Sequence, residues 1–95
     1  MEKSIAHRKL LFSPKGSSDR SELTVYIGEP YLDEEGVARC PVEWDGLFEC
    51  PADIYGADLI HALKLAVDID SMLKRLQDSK YDFYWPTGEP YFDGA

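Results

Sequence analysis

The sequence predicts an α+β domain: an antiparallel sheet of four to five strands with one long helix packed on one face, in the order β-β-β-β-α-β. Three observations carry that expectation. Residues 58–78, DLIHALKLAVDIDSMLKRLQD, form the one long stretch with helical periodicity. Residues 22–28, ELTVYIG, alternate strictly, with Leu23, Val25 and Ile27 on one side and Glu22, Thr24 and Tyr26 on the other. Asp45-Gly46 separates two short apolar runs, as a hairpin turn does, because glycine accepts positive φ at no steric cost.

The elements follow in order. Residues 4–12 read as a first strand with imperfect alternation, Ile5 and Leu11 on one face and Leu10 and Phe12 on the other. The polar loop SPKGSSDRS then breaks the chain. Its single glycine and its setting exclude a phosphate loop. After the second strand, Glu29-Pro30-Tyr31 ends the ladder and Asp33-Glu34-Glu35-Gly36 makes an acidic turn without calcium-loop spacing. Residues 37–44, VARCPVEW, form the third strand. Pro41 inside it implies an edge position or a bulge. Residues 47–50 form a short return strand. A three-residue loop sets Cys40 opposite Cys50, which keeps apolar side chains on one face. A disulfide between them is geometrically possible, and a reducing cytosol argues against it. Residues 51–57 are a connector, and Asp58 is the helix N-cap. Residues 81–85, YDFYW, form the last strand, and 86–95 are expected to be a loosely ordered tail.

Placed 100° apart, the helical residues fall into two halves. His61, Lys64, Asp68, Ser71 and Arg75 make a narrow solvent stripe. Leu59, Ile60, Ala62, Leu63, Leu65, Ala66, Val67 and Ile69 fill nearly all the rest of the first half, an arc too wide for a helix packed on one side only. The first half is therefore expected to be buried by the sheet and by a further cover. In the second half Ile69, Met72, Leu73 and Leu76 make a stripe of ordinary width.

The 95 residues carry 18 acids against 10 bases, a net charge of −8. Such a chain is repelled by phosphate backbones and anionic lipid, which excludes nucleic acid and membrane surfaces as partners and favours a basic protein. The simplest reading of the charge is solubility. No apolar run spans a bilayer and the first residues lack a signal-peptide pattern, so a cytoplasmic single domain is expected. Two cysteines and two distant histidines do not make a structural zinc site. No Ser/His/Asp or Cys/His arrangement marks a nucleophile, and no cofactor is implied.

The candidate partner-binding residues are the aromatics Tyr26, Tyr84 and Tyr91 and the acidic turn Asp33, Glu34 and Glu35. Gly28-Glu29-Pro30-Tyr31-Leu32-Asp33 recurs as Gly88-Glu89-Pro90-Tyr91-Phe92-Asp93, either shared turn chemistry or a matched pair of contact edges. If the chain is an enzyme or ligand carrier, His61 and Asp70 are its candidate polar groups, in a pocket between helix and sheet. The leading expectation is a non-catalytic interaction module, of immunity type or an adaptor, with self-association through the helix as a further possibility.

RKLLFSPKG, VYIGEPY, Cys40-Pro41-Val42-Glu43, Asp45-Gly46-Leu47 and Ile54-Tyr55-Gly56-Ala57-Asp58 with Ala62-Leu63 resemble, in that order, a family of small bacterial proteins known as a domain of unknown function. The resemblance implies a bacterial, cytoplasmic α+β protein and assigns no activity or site residue. A second likeness, to the G-x-D-S-L helix start of acyl carrier proteins, fails because Leu59 stands where the attachment serine would be.

Overall fold

β4 (Ala38–Asp45) is the strand on which the sheet is laid out. The computed structural model describes residues 4–47 and 52–92. One edge of β4 pairs with β2 (Ser21–Gly28) through Ile27↔Val42, then with the two-residue β3 (Tyr31–Leu32) through Tyr31↔Arg39. The other edge pairs with β5 (Ala52–Gly56) through Cys40↔Ile54. β2 pairs in turn with β1 (Ser4–Pro14), and β1 with β6 (Tyr81–Tyr84). All of these pairings are antiparallel. The chain is an α+β domain, as its alternation and periodicity predict.

Pro41 lies in this inner strand at a place that tolerates it. Asp33 donates its N–H to the Val37 carbonyl. That sets Tyr31↔Arg39 as the next hydrogen-bonded pair, and Pro41 turns its nitrogen toward the same edge. There Gly28-Glu29-Pro30 inserts an extra residue between β2 and β3, as Ile27↔Val42 gives way to Tyr31↔Arg39. The missing donor faces a bulge, the second of the two situations expected for a proline inside a strand.

One face of the sheet carries the core. Leu10, Leu23, Val25, Cys40, Val42, Trp44 and Phe83 are almost wholly buried. Each large apolar side chain among them contributes on the order of 2 kcal/mol of transfer free energy. The helical segment covers this face in two parts, α1 (Leu59–Val67) on β4 and β5 and α2 (Ile69–Ser79) on β6. Between them Asp68 leaves helical geometry at φ −80°, ψ 58°, and its carboxylate accepts the Ser71 hydroxyl at 2.8 Å. A short acidic side chain competes with the helix backbone and suits a helix start. Asp70 then places an acid in the first turn of α2, where the helix dipole favours it. The break lets the two parts follow different strands of one sheet. Ala62, Ala66, Ile69 and Leu73 make the buried seam.

Several expectations change. Residues 51–57 are not merely a connector, because β5 lies within them. Cys40 therefore faces Ile54, and the expected pairing with Cys50 does not occur on β5. Cys50 and the expected return strand at 48–50 lie outside the described residues, and Leu47 is in a turn. The buried Cys40 thiol donates to the Gly28 carbonyl at 3.3 Å, and burial pushes its pKa up. The stretch after β6 is not a loose tail as far as Phe92. Trp85 and Tyr91 donate their N–H groups to the Glu89 and Phe83 carbonyls, and Tyr84 bridges to Pro90, so the chain folds back along β6.

Candidate functional site

α1 is covered on one side only. Counted from the middle of the buried Ala62–Ala66 seam, Leu59 and Leu63 lie about 40° and 80° round the axis, and Val67 and Ile60 about 120° and 140° round, all on the same side. On this flank Ile60 is 79% exposed, Val67 51% and Leu59 39%. The wide apolar arc is thus correct as a pattern, but the expected cover is absent among the described residues. Bare apolar side chains grouped in this way make the flank a candidate contact surface.

A groove lies at each end of that flank. At the N-terminal end, β3, the β3–β4 turn and the start of α1 border a shallow, open depression of about 450 Å³ lined by Leu32, Gly36, Ala38, Asp58, Leu59 and Ile60. At the C-terminal end, β1, β2 and the α1–α2 break enclose about 130 Å³ lined by Ala6, Arg8, Val25, Ile27, Val67 and Ile69. The first lies within the volume range of small-molecule sites, and the second takes no more than one side chain.

Asp58 is the one acid that lines the larger groove among the described residues. Gly36 closes the turn that carries Asp33, Glu34 and Glu35, and Asp58 stands on the opposite wall. The four acids differ in what they do. Asp33 accepts from the Glu35 and Val37 N–H groups, each at 2.9 Å, and from Arg39 Nε at 2.7 Å. The Arg39 hydrogen bond, with the two backbone donors, holds its carboxyl below the usual carboxylate range. Asp58 accepts the His61 N–H at 2.8 Å as the N-cap of α1. Glu34 and Glu35 are exposed, and neither side chain has a hydrogen bond or ion pair among the described residues. Asp33 shapes the turn, and Glu34 and Glu35 are free to meet a cation.

The tyrosines named from sequence do not share one surface. Tyr26 lies on the open face of β2, its ring 5.8 Å from that of His7. Tyr84 lies on the open face of β6 under the Arg20 guanidinium, 3.7 Å from its ring centroid. Tyr91 lies on the helical side. It accepts from Arg8 Nη1 at 2.6 Å, donates to Asp70 and stacks on Trp85 at 4.6 Å. Burial first, and the Asp70 carboxylate second, raise its pKa, against the opposing pull of Arg8. In the other copy of the repeat Tyr31 donates to Asp53 at 2.7 Å, and that bond raises its pKa. Both repeat tyrosines thus hand their hydroxyl to an aspartate of another element. They do so on opposite faces, so the repeats are not a matched pair of edges.

His61 and Asp70 are both exposed, and neither lines either groove. His61 Nδ1 accepts the Ala57 N–H at 2.8 Å and ties down the loop into α1. Asp70 holds Tyr91. The structure gives both a tethering task and does not bring them together. Sequence reasoning missed Leu32 as a wall of the larger groove. Its signal was weak, because the ladder at β3 is two residues long and follows a proline.

Among the described residues no helix is long and apolar enough to cross a membrane, and no group of three or more His, Cys, Asp or Glu side chains could hold a metal ion. No family model, no curated protein and no solved structure matches this chain.

Proposed function

We propose that this protein is a small non-catalytic interaction module, of immunity or adaptor type, that docks a basic protein partner at the groove beside the start of α1. One observation carries the reading: Leu32, Leu59 and Ile60 stand exposed in a groove that Asp58 lines, and Gly36 on its other wall directly follows Glu34 and Glu35 in the chain. Apolar walls supply contact area and acids at the rim select a cationic surface and speed its approach. The net charge of −8 acts in the same direction at longer range. The kinship with small bacterial proteins, and a cytoplasmic location, belong to the same proposal and rest on the motifs given above.

Capture from a bacterial lysate at low and high salt tests it, with wild type beside a Glu34→Lys/Glu35→Lys variant. A partner retained by wild type at low salt, released at high salt and lost in the variant is the expected result. A partner held equally by both proteins, or none at either salt, removes the reading. A small apolar ligand is the second reading, favoured by the groove's volume of about 450 Å³.

A further inference from the structure

The flank of α1 bears on the shape of the proposed partner as well as on its place. We infer that the occupant is a basic amphipathic helix lying along α1, with one apolar side chain in each end groove and its basic residues toward Glu34, Glu35 and Asp58. This rests on the basic-partner reading above.

The spacing carries the inference. Ile60 lines the larger groove and Val67 the smaller. Seven helical residues separate them, about 10 Å at 1.5 Å per residue. A second helix running beside α1 presents side chains at i and i+7 with that same separation. Its residues at i+3 and i+4 then meet Leu63, which is half-buried between the grooves. An extended segment alternates its side chains at a shorter repeat and turns half of them away from the flank. The open side of the flank has room for this, since Ile60 and Val67 have no covering element among the described residues.

The charge pattern sets the partner's sign and direction. Asp58 lines the larger groove, Glu34 and Glu35 precede its Gly36 in the chain, and no base lines it. At the other end Arg8 lines the smaller groove and is already engaged by Tyr91, with Asp70 at 3.8 Å. Cationic side chains are therefore favoured at one end of the docked helix only. A second copy of this chain would bring its own acids to the same rim, where like charges repel.

The test uses the full chain. A display library of helix-forming peptides is selected on wild type and counter-selected on Ile60→Glu and, separately, on Val67→Glu. Circular dichroism establishes that both variants keep the wild-type fold. Enriched peptides should carry apolar residues seven apart, with Lys or Arg around one of them. They should weaken at least about ten-fold on either variant. Peptides that depend on Ile60 but not on Val67, or that tolerate proline at their centre, overturn the helical occupant and leave the basic-partner reading standing. Enriched peptides without basic residues overturn both. Failure to enrich any peptide overturns the inference. So does sedimentation of wild type as a dimer that Ile60→Glu dissociates, because a second copy then fills the flank.

Discussion

Tyr91 donates its hydroxyl hydrogen to Asp70, a residue 21 positions earlier in the chain, and so ties the end of the fold to the first turn of α2. The same oxygen accepts from Arg8 of β1 at 2.6 Å. One phenol thereby joins the outer half of the sheet, the second helix and the returning segment after β6. Tyr91→Phe keeps the ring on Trp85 and removes both bonds. It should cost about 1 kcal/mol, as a partly exposed hydrogen bond does. The effect also has a pH signature. The folded pKa of Tyr91 is raised, so its neutral form is favoured in the folded state. Its stabilisation is present below the ordinary phenol value and is lost as pH rises through the folded one. Urea unfolding should therefore separate wild type from Tyr91→Phe at neutral pH and bring them together well above about pH 10. An unchanged gap at high pH would assign the cost to packing.

Asp33 has the opposite sign. Its folded pKa is lowered, first by Arg39 and then by the Val37 and Glu35 N–H groups. Its stabilisation is present above the ordinary carboxylate value and is lost as pH falls through the folded one. The acidic turn should loosen at pH below the usual carboxylate range, and the larger groove should lose its outer wall with it. The Glu35 and Val37 amide resonances report this directly, because both donate to the same Asp33 oxygen. They should shift together on acidification in wild type and not in Asp33→Asn. Amides that titrate in the variant as well would point to Glu34 or Glu35 instead.

The sequence made the second strand, the Asp45-Gly46 turn and the buried seam of the helix legible, because each is a periodic or turn signal tied to burial on one face. It hid β5. Ile54 is a single large apolar residue there, flanked by Ala52 and Gly56 at the same parity, and that run looks like a connector. The cross-strand position of Cys40 then fell to Ile54 because β5 begins further along the chain than the expected return strand. The helix break was hidden for another reason. Asp68 lies on the polar stripe, where an aspartate fits an unbroken exposed helix as well as a new helix start. The groove was half legible. Its helical wall follows from the angular pattern, while Leu32 stands on a two-residue ladder just after a proline, too short to read from alternation.

Gly56 marks a contact that the same pattern could not show. A Cβ there would stand 2.6 Å from the Ala62 amide nitrogen and 2.9 Å from His61 Nδ1. The glycine lets β5 pass directly under the first turn of α1. Backbone must move to admit a methyl, so Gly56→Ala should cost about 2 kcal/mol. Gly36→Ala makes the useful contrast. Its φ is +81° with nothing within 4 Å of an added Cβ, so only the backbone conformation is penalised, by about 1 kcal/mol. Thermal unfolding of the two variants ranks them. A smaller loss at Gly56 than at Gly36 would show that α1 can lift from β5 at little cost.

Ile60 and Leu73 belong to the same helical segment and should respond oppositely to substitution. Leu73 is fully buried under α2, and Leu73→Ala removes packing at a cost of roughly 2–5 kcal/mol. Ile60 is 79% exposed in the first turn of α1, two residues after the N-cap Asp58. An acid there loses little packing and complements the positive end of the helix dipole. Ile60→Glu should therefore change stability by no more than about 0.5 kcal/mol. The apolar side chain contributes little to folding, yet it leaves bare hydrocarbon beside a charged rim. That combination is what a contact surface requires and what a folded core does not. Chemical denaturation of the isolated variant measures the first part, and loss of partner capture measures the second. A strongly destabilised Ile60→Glu would show that the flank is already packed against something in solution, and the concentration dependence of its unfolding would identify a second copy of the chain as that cover.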